Sequence, residues 1–82
     1  MNEKIKVWGI AIERNKIIIY PEEEKVKVFE RENYELFAEN IRQLHTFRNY
    51  SVILPGEPYF CEVDKDKGRI FCGKEPEKVK IL

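Results

Sequence analysis

Residues 33–49, Asn-Tyr-Glu-Leu-Phe-Ala-Glu-Asn-Ile-Arg-Gln-Leu-His-Thr-Phe-Arg-Asn, decide the fold class, because their apolar spacing favours a helix. The apolar side chains recur at intervals of three, four and three residues, as Tyr34, Phe37, Ile41 and Leu44. Asn33 is a suitable N-cap, and Asn49 suits the exit of a helix. The pattern therefore predicts one amphipathic helix over residues 34–48.

Two apolar runs precede this segment and favour strands. Residues 4–13 and 16–20 flank Arg14-Asn15, a pair that fits a two-residue hairpin turn. The turn sets a register that pairs Glu13 with Lys16, Ile12 with Ile17, and Ile10 with Ile19. Strict alternation in the first strand places Ile5, Val7, Gly9 and Ala11 on one face, and Trp8, Ile10 and Ile12 on the other. A third strand over residues 25–29 is predicted to turn its lysines outward, where they protect a sheet edge.

A second hairpin is predicted after the helix. Residues 59–63 and 69–73 flank a turn at residues 64–68. The register that pairs Val63 with Ile70 also sets Cys61 opposite Cys72. Such neighbours are close to disulfide reach, so a disulfide is possible, with two buried free thiols as the slightly favoured alternative. Residues 77–82 alternate in polarity and predict a short last strand.

The order of elements predicts a single domain over residues 1–82. Three strands, one helix and three or four further strands favour an α+β fold, in which the helix packs on one face of a small antiparallel sheet. An oligonucleotide-binding (OB) type barrel is the alternative, because it also places a helix after three strands. That barrel needs a bent first strand, for which Gly9 is suitable.

Composition excludes several classes of function. The side chains that usually perform acid–base or nucleophilic chemistry are few: His45, Thr46, Ser51, Asp64 and Asp66. Neither Cys61 nor Cys72 belongs to a metal-binding motif, so we expect no metal, no cofactor and no enzyme activity. A glutamate-dependent hydrolase using Glu57 or Glu62 is a weaker option, and His45 is expected to be a packed histidine.

The chain is dense in charge but neutral overall, with 37% charged residues and a formal net charge of zero. Many Glu and Lys with few Gln, Ser and Thr are typical of hyperthermophile proteins. No apolar run reaches the length of a membrane span or a signal peptide, so we expect a cytoplasmic protein.

A partner-binding face is predicted on the polar side of the helix. Leu36 and Phe47 project there, with Asn40 and Gln43 between them. Exposed apolar pairs of this kind anchor partners. The sequence therefore favours a small protein-interaction module, an adaptor, inhibitor or modulator of a larger protein, with a homodimer as a further candidate.

The alternative function is binding of single-stranded nucleic acid. Lysines beside aromatic side chains provide the phosphate contacts and stacking surfaces that such binders use. The candidates form two groups, with Lys78 and Lys80 as additions: Lys4, Lys6 and Trp8; Lys25, Lys27 and Phe29. The zero net charge makes nucleic acid the weaker candidate.

Overall fold

The computed structural model describes residues 3–56 and 58–74, which form eight β-strands and no helix. The strands are β1 Glu3–Glu13, β2 Lys16–Pro21, β3 Lys27–Glu30, β4 Glu35–Ala38, β5 Leu44–Thr46, β6 Tyr50–Ile53, β7 Tyr59–Asp64 and β8 Arg69–Gly73. The predicted strand over residues 77–82 lies outside the described residues. No helix in the described segments is long and apolar enough to cross a membrane.

The eight strands belong to one mixed, open sheet. Its main path is β3-β2-β1-β7-β8-β4, while β6 pairs with β1 and β5 pairs with β6. β1 is long enough to pair with β7 along its first half and with β6 along its second. All these pairs are antiparallel except β4 with β8, which is parallel. The fold is therefore all-β, so the predicted α+β class is wrong, and the sheet does not close into an OB-like barrel.

The helix predicted for residues 34–48 is absent because the same segment also satisfies strand spacing. In β4 the side chains of Leu36 and Ala38 alternate inward and pack against the core. Pairing with the buried strand β8 supplies the backbone hydrogen bonds that a helix would have made internally. Asn40 then has φ 57°, a left-handed conformation that a right-handed helix does not contain. Tertiary pairing thus overrides the helical periodicity.

A β-bulge at Trp8 changes which side chains of β1 face the core. Val7 pairs with Pro21 and Gly9 pairs with Tyr20, so Trp8 is an extra residue on β1. The extra residue shifts the alternation by one position, and both halves of the strand then turn aliphatic side chains inward. The inward residues are Ile5 and Val7 before the bulge, and Ile10 and Ile12 after it. The prediction that Ile10 and Ile12 share a face with Trp8 is therefore wrong.

The third strand also has the opposite phase to the one predicted. Lys27 and Phe29 lie opposite the inward-facing Ile19 and Ile17, and both are half-buried. Val28 instead points outward and is 54% exposed. Burying the larger Phe29 side chain against Ile17 and Ile19 removes more apolar area from water than burying Val28 would. The lysines of this segment therefore do not form an outward row.

Both predicted hairpins are confirmed in register. Ile12 pairs with Ile17 in the first, and Val63 pairs with Ile70 in the second. The curved sheet wraps around a core of aliphatic and aromatic side chains that includes the Cys61–Cys72 disulfide. Its fully buried members include Tyr59, Ile10, Ile17, Ile19, Ile53, Ile70 and Val7.

Candidate partner-binding site

The β5–β6 hairpin is the most exposed part of the described chain, since every residue from 39 to 50 is exposed. Thr46 pairs with Ser51, which leaves Phe47 opposite Tyr50 and makes Arg48-Asn49 a two-residue turn. The Phe47 N–H donates to the Tyr50 carbonyl oxygen over 2.8 Å, closing the turn. β6 holds the hairpin on the sheet by pairing with the second half of β1.

Four large apolar side chains of this region remain in contact with solvent. Ile41 is 40% exposed, Leu44 53%, Phe47 51% and Tyr50 43%. We call these four residues the hairpin patch. The Phe47 and Tyr50 rings stack with their centroids 4.8 Å apart and their planes 23° from parallel. Each ring restricts the other, so the tip of the hairpin presents an ordered aromatic surface.

The charges around the hairpin patch differ from those of the rest of the chain. Residues 40–56 contain no Lys, Asp or Glu, the three charged types that dominate the other segments. Their only ionisable side chains apart from Tyr50 are Arg42, His45 and Arg48. Protein interfaces are depleted in Lys, Glu and Asp and enriched in Arg and aromatic residues. The lack of Lys, Asp and Glu in residues 40–56 can be read from the sequence, but the prediction of a partner-binding face relied on the helical spacing and did not use it.

The four residues predicted to bind a partner do not share one face. Leu36 lies in β4, half-buried against the core, whereas Phe47 lies at the hairpin tip. Asn40 is exposed in the loop before β5, and Gln43 accepts a hydrogen bond on its carbonyl from Leu54 N–H at 2.9 Å. Since the helix that would have aligned them is absent, only the last three belong to the hairpin region. His45, predicted to be packed, is exposed in β5.

The residues predicted for nucleic acid binding are divided between two strands. Lys4, Lys6 and Trp8 are exposed along β1, and the Trp8 ring contacts Tyr20 at a tilt of 36°, with the centroids 5.0 Å apart. Lys6 Nζ lies 3.6 Å from Glu22 Oε1.

Lys25 is exposed just before β3, and Lys27 Nζ lies 3.3 Å from Glu24 Oε1. Phe29 faces the core and contacts the Tyr34 ring edge-on. The ion pairs reduce the positive field of the lysines, and no stacking platform forms on β3. Lys78 and Lys80 lie outside the described residues.

A hydrogen bond from Tyr59 attaches the loop before β5 to the core, and a disulfide lies nearby. The buried Tyr59 hydroxyl donates a hydrogen bond to the carbonyl oxygen of Glu39. Burial, and secondarily the Glu39 charge, raise the pKa of Tyr59 to about 12. The Cys61–Cys72 disulfide lies two residues further along β7, with its Cα atoms 4.1 Å apart. The chain is thus fixed to the core at Glu39, just before the projecting hairpin.

A groove of about 590 Å³ lies between residues of β1, β2 and β4. Ile12, Ile17 and Leu36 line it, and Arg31 and Glu35 stand at its side. Because the groove has both positive and negative side chains, its charge favours neither an anionic nor a cationic ligand. Glu62, named for the hydrolase option, is buried in β7 away from this groove, and Glu57 lies outside the described residues.

The described residues hold no group of three or more His, Cys, Asp or Glu side chains that could bind a metal ion. Comparison with protein-family models, curated proteins and solved structures found no match to this chain.

Proposed function

We propose that the protein is a protein-interaction module that binds a partner protein through the β5–β6 hairpin. One observation carries the proposal: four exposed apolar side chains lie on a hairpin whose surrounding segment lacks Lys, Asp and Glu. Monomeric surfaces normally scatter such side chains among charged neighbours. Here four of them lie within residues 41–50.

The aromatic pair provides the binding energy in this proposal. Binding hot spots are enriched in Tyr, Trp and Arg and lie where aromatic side chains become desolvated. Phe47 and Tyr50 are already stacked, so they lose little side-chain freedom when a partner covers them. Arg48, in the turn between them, adds a planar group that can donate several hydrogen bonds. Leu44 adds exposed apolar area on the opposite face of β5, and Ile41 adds more in the loop before it.

Nucleic acid is less well supported as the partner. The aliphatic side chains of Ile41 and Leu44 offer no stacking surface for a base. The exposed pair Trp8–Tyr20 offers one, but the neighbouring Lys6 is paired with Glu22. A protein surface accounts for both the aliphatic and the aromatic parts of the hairpin patch.

The test is selection from a displayed library of random linear peptides on the immobilised protein. The double variant Phe47→Ser/Tyr50→Ser removes the aromatic pair, and Phe37→Ser/Phe71→Ser removes another solvent-exposed stacked pair, with ring centroids 5.2 Å apart, as a matched control. We expect the peptides enriched on the unmodified protein to be lost on the first variant and kept on the second. Peptides that bind both variants equally would contradict the assignment.

Sedimentation of the same proteins examines a second copy of the chain as the partner. A dimer that the Phe47→Ser/Tyr50→Ser variant converts to monomer would support the hairpin as an interface and identify the partner as another copy. A dimer that persists in this variant would show that self-association uses a different surface.

A further inference from the structure

The outer edge of β5 carries backbone groups that face away from the sheet. Gln43 accepts a backbone hydrogen bond from Leu54, and Phe47 donates one to Tyr50, so the odd-numbered residues face β6. In an antiparallel pair, successive residues direct their N–H and C=O groups to opposite sides. Leu44 and Thr46 therefore direct theirs outward. Among the described residues, β5 pairs with β6 alone.

This edge differs from the other two edges of the described sheet. β3 carries Lys27 and Glu30, and β4 carries Glu35, with Glu39 directly after it. Charged side chains on edge strands protect them against pairing with other chains. The sequence of β5 is Leu-His-Thr, with no Lys, Asp or Glu. It therefore lacks the charged side chains that oppose pairing with other chains at β3 and β4.

A second copy of this chain is a poor match for the β5 edge. An antiparallel two-fold pairing centred on His45 would set Arg42 of one copy opposite Arg48 of the other. Like charges directly opposite each other destabilise a pair of strands. Other registers within residues 40–56 supply no acidic side chain to pair with these arginines, because the segment contains none. The edge is complementary to a strand that carries the opposite charge.

We propose that the β5 edge binds an extended segment of a partner protein, in which acidic residues alternate with apolar ones, by strand addition. This inference rests on the proposed function and names the partner's chemistry. The outward N–H and C=O groups of Leu44 and Thr46 bond to the added strand. Its apolar side chains contact Leu44 or the Phe47–Tyr50 pair, according to the face on which they lie. Its carboxylates lie near Arg48.

The probe is a short fluorescent peptide in which Glu and Val alternate, measured by anisotropy against the full chain. Two control peptides isolate the two parts of the proposal: one replaces Glu by Lys, and one carries N-methyl groups on alternate amides. We expect the acidic peptide to bind at least tenfold more tightly than either control. Equal binding of the lysine peptide, or no binding of the acidic peptide, would overturn the inference.

The matched protein variants place a proline on an outward N–H of two different edges. Thr46→Pro removes a donor of β5, whereas Val28→Pro removes one of β3. The outward direction at Val28 follows from the hydrogen bond between Arg31 N–H and the Asn15 carbonyl. Proline is tolerated at such edge positions. We expect at least a tenfold loss of affinity for Thr46→Pro and none for Val28→Pro.

Acidic-peptide binding that survives in Thr46→Pro would overturn strand addition at β5. If Thr46→Pro fails to fold, the N-methylated peptide decides the same point on the unmodified protein. Failure here is distinguishable from failure of the proposed function. Library peptides that still require Phe47 and Tyr50, but are not acidic or not bound through their backbone, would leave the hairpin as the binding site.

Discussion

Gly68 shows how one residue at a turn can fix the position of another element. It closes the turn between β7 and β8 with φ 65°, where a side chain is strained. Its carbonyl accepts the Glu35 N–H at 2.9 Å, which starts the pairing of β4 beside β8. A Cβ at this position would collide with the carbonyl oxygen of Asn33. The contact that starts β4 thus depends on the missing side chain.

We expect Gly68→Ala to lower the free energy of unfolding by about 2–4 kcal/mol, from left-handed strain plus the collision. Gly56 is the matched control, because it also has a positive φ, 77°, but a Cβ there meets nothing within 4 Å. Gly56→Ala should therefore cost only about 1 kcal/mol. Urea denaturation of the two variants measures the difference. Equal losses would show that strain alone matters at Gly68.

Tyr59 gives the stability of the fold a dependence on alkaline pH. Its pKa is raised to about 12 in the folded protein, mainly by burial, above the value near 10 of an exposed tyrosine. The folded state thus holds this proton more tightly than the unfolded state. The stabilisation is complete below about pH 10 and is lost as the pH rises from 10 towards 12.

The variant Tyr59→Phe isolates this contribution, since it removes the hydroxyl but keeps the ring. We expect it to be less stable than the unmodified protein at neutral pH, because the Glu39 carbonyl loses its hydrogen bond. The difference in free energy of unfolding between the two proteins should shrink between pH 10 and 12. A difference that stays constant over this range would contradict the assignment.

At the scale of elements, the disulfide joins β7 to β8 across directly opposed positions, 11 residues apart in sequence. Closing a loop of this size stabilises a fold by about 2–3 kcal/mol in the chain-entropy description. We expect a reductant to lower the free energy of unfolding of the native protein by that amount. The double variant Cys61→Ala/Cys72→Ala should not respond to reductant. A reductant effect on that variant would show that the loss has another origin.

Sequence patterns predict the two hairpins because each hairpin is a local structure. Arg14-Asn15 and the turn ending at Gly68 lie between runs whose registers follow from the turns themselves. The secondary structure of residues 34–48 is not local in this way, because β4 pairs with β8, more than 20 residues away in sequence. Leu36 and Ala38 fit both a helix and a strand, and only the parallel partner decides between them.

The candidate site was only partly predictable for the same reason. Phe47 is identified as an exposed apolar residue from either a helix or a hairpin, because its neighbours are polar in both. The prediction that Leu36 is exposed is wrong, because it assumed a helix in which Leu36 lies opposite the apolar face. The bulge at Trp8 was not predicted either, although Gly9 directly after it is a residue type that often marks a bulge. The scarcity of Lys, Asp and Glu around the hairpin was the signal independent of secondary structure.

At the scale of the whole molecule, the neutral chain separates its charges. Glutamates and lysines cover the sheet away from the hairpin, where the pairs Lys6–Glu22 and Lys27–Glu24 form. Surface pairs of this kind add little stability, but they cancel the local field of each lysine. Residues 40–56 contain Arg42, His45 and Arg48 but no acidic residue. The hairpin thus combines exposed apolar side chains with the positive charge of Arg48.

This distribution predicts that a mixed-sequence single-stranded oligonucleotide will not bind at Trp8. Trp8 is 54% exposed, so a base stacking on it would quench its fluorescence. We expect no quenching at low salt, because Lys6 on the same strand is paired with Glu22. The variant Glu22→Gln frees this lysine and serves as the control in which any latent affinity should rise. Quenching of the unmodified protein that weakens steeply with salt would instead favour nucleic acid as the partner, since each phosphate contact on a single strand contributes about −0.7 to the log–log slope.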